Sequence, residues 1–262
     1  MADEPQEEPE AAPETAGAPV QRIPLRRRSI YLLPNLVTTA ALFAGFYAIV
    51  QAVNARFEQA AVAIFVAMVL DGLDGRIARM TSTQSEFGAD YDSLSDMVSF
   101  GAAPALVMYV WALKDLGNAG WIPAFVYCAA AAVRLARFNT NLQVVDKRFF
   151  QGLPSPAAAA LVAGFIWVAD DFAIDRVDWI RYIAFATTLF AGITMVVTIP
   201  FYSFKDFNLM KRVPFWVVPL VIGGITVIAA NPPMVLFLMF VAYSMSGYVF
   251  WAYRKARKRR SI

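Results

Sequence analysis

The 262-residue sequence contains no histidine and a single cysteine. The missing histidine excludes a histidine-ligated zinc site and leaves carboxylates as the first candidates for a general base. Cys128 has no partner for a disulfide within the chain, and its apolar surroundings (VYCAAAA) indicate a packing residue. Charged residues are also scarce, at 16% against 59% hydrophobic residues, and the mean hydropathy is +0.52. This composition is not that of an ordinary soluble domain.

The apolar residues occur in runs of about 20, the length of helix that crosses the hydrocarbon core of a bilayer. They predict an all-α integral membrane protein with about eight transmembrane helices. The predicted spans are residues 33–52, 57–75, 93–113, 119–137, 156–170, 180–202, 214–230 and 233–252.

The placement of basic residues predicts the orientation. With a cytosolic N-terminus, all 23 lysines and arginines but four fall in cytosolic segments, and these four are Arg56, Lys114, Arg176 and Arg181. The positive-inside bias therefore predicts that both termini are cytosolic, and it accounts for the basic balance without nucleic-acid binding. Residues 1–28 predict a disordered tail, acidic and proline-rich over residues 1–21, followed by a basic juxtamembrane segment. Residues 29–262 then form one transmembrane domain.

One stretch conflicts with its apolar context. LDGLDGRIARM, residues 70–80, follows directly on an apolar run, although a charge in hydrocarbon costs at least ~2.5–3.5 kcal/mol. The next helix carries GADYDSLSD, in which Asp92 and Asp96 are four residues apart and share one stripe. Asp71 and Asp74 are likewise neighbours on their helix. Because only a short loop, 80–87, separates the two pairs, we expect four carboxylates to converge at the cytosolic rim.

Four converging carboxylates repel one another unless protons or cations neutralise them. Oxygen-only ligands favour a hard divalent ion, Mg²⁺ or Mn²⁺. Glycines beside the aspartates admit a bulky ligand, and Arg79 offers a donor for phosphate. The pattern predicts phosphoryl transfer with the active site on the cytosolic side. The alternatives are a structural charge network or the ion relay of an ion-coupled transporter, whose carboxylates usually lie nearer the membrane midplane.

The two stretches together read D-x-x-D-G-x-x-A-R, eight residues, then G-x-x-x-D-x-x-x-D, from Asp71 to Asp96. This pattern resembles the CDP-alcohol phosphotransferase family, integral membrane enzymes that make phospholipids. Further segments are similar to the membrane-integral bacterial members that make phosphatidylserine: LPNLVT (33–38), DSLSDMVSFGAAPA (92–105), AAAVRLARFN (130–139), QGLPSPAAA (151–159) and YSFKDFN (202–208).

The resemblance implies transfer of a phosphatidyl group from CDP-diacylglycerol to L-serine, with release of CMP. The nearest rivals use another alcohol: glycerol 3-phosphate, an inositol phosphate or choline. It also implies two divalent ions, a homodimer and the bacterial inner membrane.

The resemblance also assigns site residues. Two metals would be held by the motif aspartates Asp71, Asp74, Asp92 and Asp96, and Asp96 would also be the catalytic base. The CDP-lipid would be bound by residues of the first span and the motif: Asn35, Thr38, Gly72, Gly75, Ala78, Arg79 and Ser85. For Ser85 a helix cap, and for Asn35 a role at the start of the span, remain alternatives.

The acceptor pocket follows from the chemistry of serine, whose carboxylate and ammonium call for fixed charges of both signs. Candidates lie near the motif and at the predicted cytosolic ends of spans: Asp90, Arg134, Arg137, Asn139, Lys205 and Asp206. Each could instead be an interfacial or solvated residue.

Overall fold

The computed structural model describes residues 25–83, 85–140, 149–174, 177–202 and 217–259. These residues are almost entirely helical, as predicted. The helices are α1 (Leu25–Val53), α2 (Phe57–Met80), α3 (Glu86–Asp96), α4 (Ala103–Trp111), α5 (Trp121–Thr140), α6 (Ser155–Asp171), α7 (Ile180–Val196), α8 (Val217–Ala230) and α9 (Pro232–Arg259). The predicted tail lies mostly in residues 1–24, outside the described residues.

Two irregular helical segments complete the path. A π-helical segment, Met97–Ala102, joins α3 to α4 without a break, and a 3₁₀ segment, Leu113–Ala119, leads into α5. The strands β1 (Phe149–Gln151) and β2 (Pro200–Tyr202) pair antiparallel, with Phe150 opposite Phe201. The predicted sixth span, 180–202, is therefore too long, because α7 ends at Val196 and the chain turns extended before Pro200.

Small residues hold the bundle together. Alanines of α1 and α2, among them Ala48 and Ala60, are fully buried where these two helices pack, and α6 lies at the centre with most of its residues buried. Small side chains let helix backbones approach closely, which is how helices associate in lipid. At Gly45 the approach is so close that a Cβ would overlap Ser99.

Within the described residues, four helical segments are long and apolar enough to cross a membrane: Leu33–Val53, Glu86–Trp111, Trp121–Thr140 and Pro232–Arg257. The apolar helices Ile180–Val196 and Val217–Ala230 are shorter. α2 ends in the charged motif, and α6 has only 17 residues. Large apolar side chains cover the outside, and α8 buries none of its residues, as suits a surface in contact with lipid.

Candidate functional site

Three of the motif carboxylates converge. One oxygen each from Asp71, Asp74 and Asp92 lies within 4.8 Å of the others, although they come from two helices. Asp96 is outside this group, but its carboxyl group lies next to that of Asp71. The structure thus brings all four motif aspartates to one place. Among the described residues, no lysine or arginine forms an ion pair with them.

The convergence depends on α1 more than the sequence indicated. The sequence predicts that α2 and α3 run side by side, but the backbone of α3 packs mainly on α1. Ser95 Oγ and Ser99 Oγ donate to the Thr38 and Ala41 carbonyl oxygens of α1 at 3.2 and 3.1 Å. Both serines are buried, so these bonds are shielded from water. α1 therefore positions α3 so that its aspartates face α2.

Thr38 also supports the cluster directly. Its hydroxyl donates to Asp74 Oδ2 at 2.7 Å and lies 3.1 Å from the Pro34 carbonyl oxygen. Thr38 and Asp74 are each only 4% exposed. This bond orients the Asp74 carboxylate. The sequence pattern placed Thr38 with the CDP-lipid residues and gave no sign of this contact.

The cluster fits a divalent cation. Asp92 Oδ1 is buried and has no hydrogen-bond partner among the described residues, which is costly unless another group satisfies it. Three carboxylate oxygens within 4.8 Å of one another match the oxygen ligands that Mg²⁺ and Mn²⁺ prefer. An uncompensated cluster of this kind would be strongly self-repelling.

The cluster is open on the side of the motif glycines. A Cβ at Gly72 would meet nothing within 4 Å, and one at Gly75 would meet only Arg79 Nη1, at 4.0 Å. Ala78 is half-buried, and the Arg79 side chain is exposed. This side of α2 leaves room beside the carboxylates, with a guanidinium at its edge.

Two further predicted residues lie together at the start of α3. Ser85 is the N-cap of α3, where its Oγ accepts a hydrogen bond from the Gly88 amide at 3.0 Å. A Cβ at Gly88 would lie 3.1 Å from Ser85 Oγ and 3.5 Å from Asn35 Oδ1, so Asn35 reaches the same point from α1. Ser85 therefore caps α3, which is the alternative role considered for it from the sequence. Because Ser85 is exposed, its hydroxyl can still meet a ligand.

The predicted acceptor residues separate into different surroundings. Arg134 Nη1 donates to Ser155 Oγ at 2.8 Å, and Arg137 Nη1 donates to the Val196 carbonyl oxygen at 3.1 Å. Asn139 Nδ2 donates to Ser93 Oγ at 3.0 Å, which ties the end of α5 to α3. Asp90 is exposed. Lys205 and Asp206 lie outside the described residues.

A family model for the CDP-alcohol phosphatidyltransferases matches residues 31–202, from α1 to β2. The chain belongs to this family. The match leaves α8 and α9 outside it. The chain is also similar to individual members of the family, and the aligned part of the chain differs in length from one member to the next.

A CDP-diacylglycerol–serine O-phosphatidyltransferase from Helicobacter pylori is 32% identical over 227 residues, which covers 86% of this chain and 92% of that protein. The proteins of the same name from Mycobacterium tuberculosis and Methanocaldococcus jannaschii are 39% and 40% identical, over 55% and 44% of this chain. The chain spans about half the length of these two relatives, 52% and 53%.

Two residues beside Arg134 were missed by the sequence pattern. Ser155 is fully buried at the first turn of α6, and Tyr243 of α9 interacts electrostatically with Arg134. The segment GLPSP contains Ser155 and was noticed, but it carries no residue that signals a site by its chemistry. Tyr243 lies in an apolar helix beyond the family match, where nothing in the pattern distinguishes it.

Proposed function

We propose that this family member transfers a phosphatidyl group from CDP-diacylglycerol to L-serine, giving phosphatidylserine and CMP. The observation that carries the proposal is the convergence of the Asp71, Asp74 and Asp92 carboxylates within the family motif. The choice of serine is supported by the relatives from bacteria, archaea and yeast that are named for that acceptor.

In the proposed reaction the serine hydroxyl oxygen forms a bond to the phosphorus that carries diacylglycerol. The bond from that phosphorus to the oxygen of CMP breaks, and CMP leaves with the electron pair. Asp96 takes the hydroxyl proton, because a neutral alcohol is a poor nucleophile at physiological pH. Its contact with Asp71 sets it beside the carboxylate cluster.

Two divalent ions, Mg²⁺ or Mn²⁺, would be held by Asp71, Asp74, Asp92 and Asp96. When bound, such ions supply positive charge for the diphosphate and for the departing CMP. Thr38 keeps Asp74 in position for that role through its 2.7 Å bond.

The nucleotide end of CDP-diacylglycerol would lie on the open side of α2. Gly72 and Gly75 allow close approach of the helix backbone, and Ala78 leaves space for the nucleotide. Arg79 would bind phosphate. At the start of α3, Asn35 and Ser85 would offer polar contacts to the same ligand. The acceptor would be received among Asp90, Arg134, Arg137 and Asn139, with Lys205 and Asp206 as further candidates.

One assay tests the activity. Purified protein in detergent is given CDP-diacylglycerol, Mg²⁺ or Mn²⁺, and one alcohol at a time: L-serine, glycerol 3-phosphate, an inositol phosphate or choline. We expect CMP release with serine above the level without any alcohol. CMP release with only another alcohol would keep the family and refute serine as acceptor. Absence of CMP release with every alcohol would favour a transporter.

We also propose eight transmembrane helices with both termini and the aspartate cluster on the cytosolic side of the bacterial inner membrane, in a homodimer. The orientation is supported by the distribution of basic residues. Cysteines at two exposed positions test it in a Cys128→Ala background: Glu86→Cys beside the cluster and Val177→Cys at the opposite end of the bundle. A membrane-impermeant thiol reagent should label only Val177→Cys in intact cells. Labelling of Glu86→Cys alone would reverse the orientation.

A further inference from the structure

The Arg134 guanidinium has one satisfied and one unsatisfied side. Nη1 donates to Ser155 Oγ at 2.8 Å, whereas Nε is buried and has no hydrogen-bond partner among the described residues. A buried donor without a partner costs free energy, and for a charged group the cost is larger than for a neutral one. Such a donor in an enzyme's interior indicates a ligand that completes it.

The position of Arg134 relative to Asp96 indicates which ligand can reach its guanidinium. Its guanidinium interacts electrostatically with the Asp96 carboxyl, but the two groups form no ion pair. Asp96 is the proposed base for the acceptor hydroxyl. A small molecule with its hydroxyl at Asp96 would therefore have its other groups within reach of Arg134.

Ser155 holds the guanidinium from the α6 side. The chain enters α6 through Gly152, whose φ of +80° favours glycine, and a Cβ there would collide with the Met195 carbonyl group. The Gly152 and Leu153 amides donate to the Ile199 and Thr194 carbonyl oxygens, which fixes this turn on the end of α7. The start of α6 also places the positive end of a helix dipole beside Arg134.

α9 closes the other side. Tyr243 interacts electrostatically with Arg134, and its ring packs on Phe201 of β2 with centroids 5.9 Å apart. Five residues further along, the Tyr248 hydroxyl is 2.7 Å from Thr194 Oγ1. These contacts anchor α9 next to the site, although α9 lies outside residues 31–202 of the family match.

We propose that Arg134 binds the carboxylate of an amino-acid acceptor through the guanidinium edge that contains Nε, and that Ser155 and Tyr243 position this guanidinium. The inference rests on the proposed function and deepens it, since it selects one basic residue from the acceptor candidates. A planar guanidinium matches a carboxylate with two parallel hydrogen bonds, and Ser155 occupies only the opposite nitrogen. Arg137, one turn later, is instead tied to the Val196 carbonyl oxygen.

The test compares two acceptors that differ only in the carboxylate. L-serinamide keeps the hydroxyl and the amine of L-serine but has no carboxylate. Full-length Arg134→Gln should raise the KM for serine about ten- to hundred-fold, the loss of one charge-assisted contact. The preference for serine over serinamide, measured as the ratio of their kcat/KM values, should fall by the same factor, and the KM for CDP-diacylglycerol should change far less. Arg181→Gln, which removes a guanidinium from the opposite end of the bundle, is the matched control and should change neither.

The positioning residues give a second measurement that does not depend on Arg134→Gln folding. Ser155→Ala and Tyr243→Phe should each raise the KM for serine about two- to ten-fold and affect serinamide less than serine. Ser155→Thr, which keeps the hydroxyl, should restore the KM.

Equal losses with serine and serinamide in these variants would overturn the inference. So would a serine-specific effect of Arg137→Gln in place of Arg134→Gln. If the wild type releases no CMP with serine, the proposed function fails before the variants are compared.

Discussion

Aspartates are found at both ends of the helical bundle, but their surroundings are opposite. Asp115 and Asp178 are exposed and lie 3.8 and 3.3 Å from the same guanidinium, that of Arg181. Asp74 is buried, and its neighbours in the cluster are other carboxylates. Exposed pairs are screened by water and contribute little to stability. Buried like charges destabilise the fold, which supports the proposal that this cluster holds a cation and serves a reaction rather than stability.

Among the predicted changes, removal of metal ions should cause the largest loss of activity. Treatment with a chelator should abolish CMP release, and Mg²⁺ or Mn²⁺ should restore it, because the cluster offers only oxygen ligands. Thermal melting followed at the same time should show stabilisation on metal addition, since an ion that binds only the folded state favours it. Full activity in metal-stripped protein would contradict the two-metal proposal.

The next largest loss of activity should follow from the replacement of Asp96. Asp96→Asn removes the proposed base while keeping the size of the side chain, and CMP release should fall by about 10²–10⁴-fold. Asp115→Asn, at the opposite end, should retain normal turnover because it loses only an exposed pair. If Asp96→Asn keeps more than about a tenth of normal activity, it is not the base.

Thr38→Val should have an intermediate effect. The variant loses the 2.7 Å bond to Asp74, and a hydrogen bond to a charged group is worth about 1.5–3 kcal/mol. The metal concentration for half-maximal activity should therefore rise about ten- to hundred-fold. Thr226→Val is the control, since Thr226 bonds only the Ile222 carbonyl oxygen of its own exposed helix. The same metal dependence in both variants would show that Thr38 does not support the site.

The smallest effect on activity should come from Gly152→Ala, whose main effect should appear in stability. A residue with a side chain at φ +80° costs about 1–3 kcal/mol, with a further cost for contact with Met195. The melting temperature in detergent should fall. Gly224→Ala in α8 has open space around it and should be neutral or stabilising by up to about 1 kcal/mol. Equal melting temperatures for the two variants would show that the turn is not strained by a side chain.

The sequence predicts the helices and the aspartate cluster, but it does not predict the contacts that support the cluster. The apolar runs located the helices approximately, although the sixth run extends past the end of α7 at Val196. The spacing from Asp71 to Asp96 predicted that the aspartates converge, because it depends on helix period and a short loop. The supporting contacts are not local. Thr38 meets Asp74 across 36 residues and Arg134 meets Ser155 across 21, so only the packing of helices brings these side chains together.

The π-helical segment illustrates the same limit. MVSFGA at Met97–Ala102 has the composition of ordinary apolar helix. One of its carbonyl groups has a partner on another helix: the Tyr127 hydroxyl of α5 donates to the Phe100 carbonyl oxygen at 3.0 Å. Tyr127 is fully buried, which makes this bond part of the core. No pattern within residues 97–102 indicates that partner.

That segment has a consequence for how the chain can vary in length. A π turn is equivalent to one residue inserted into an α-helix, and π turns occur often at functional sites. Deleting a single residue between Met97 and Ala102 would allow regular α-helix and rotate α3 by about 100° relative to α4. Asp92 and Asp96 would then turn away from α2 even though every aspartate was still present. Substitutions here alter packing locally, whereas a change of one residue in length would dismantle the cluster at a distance.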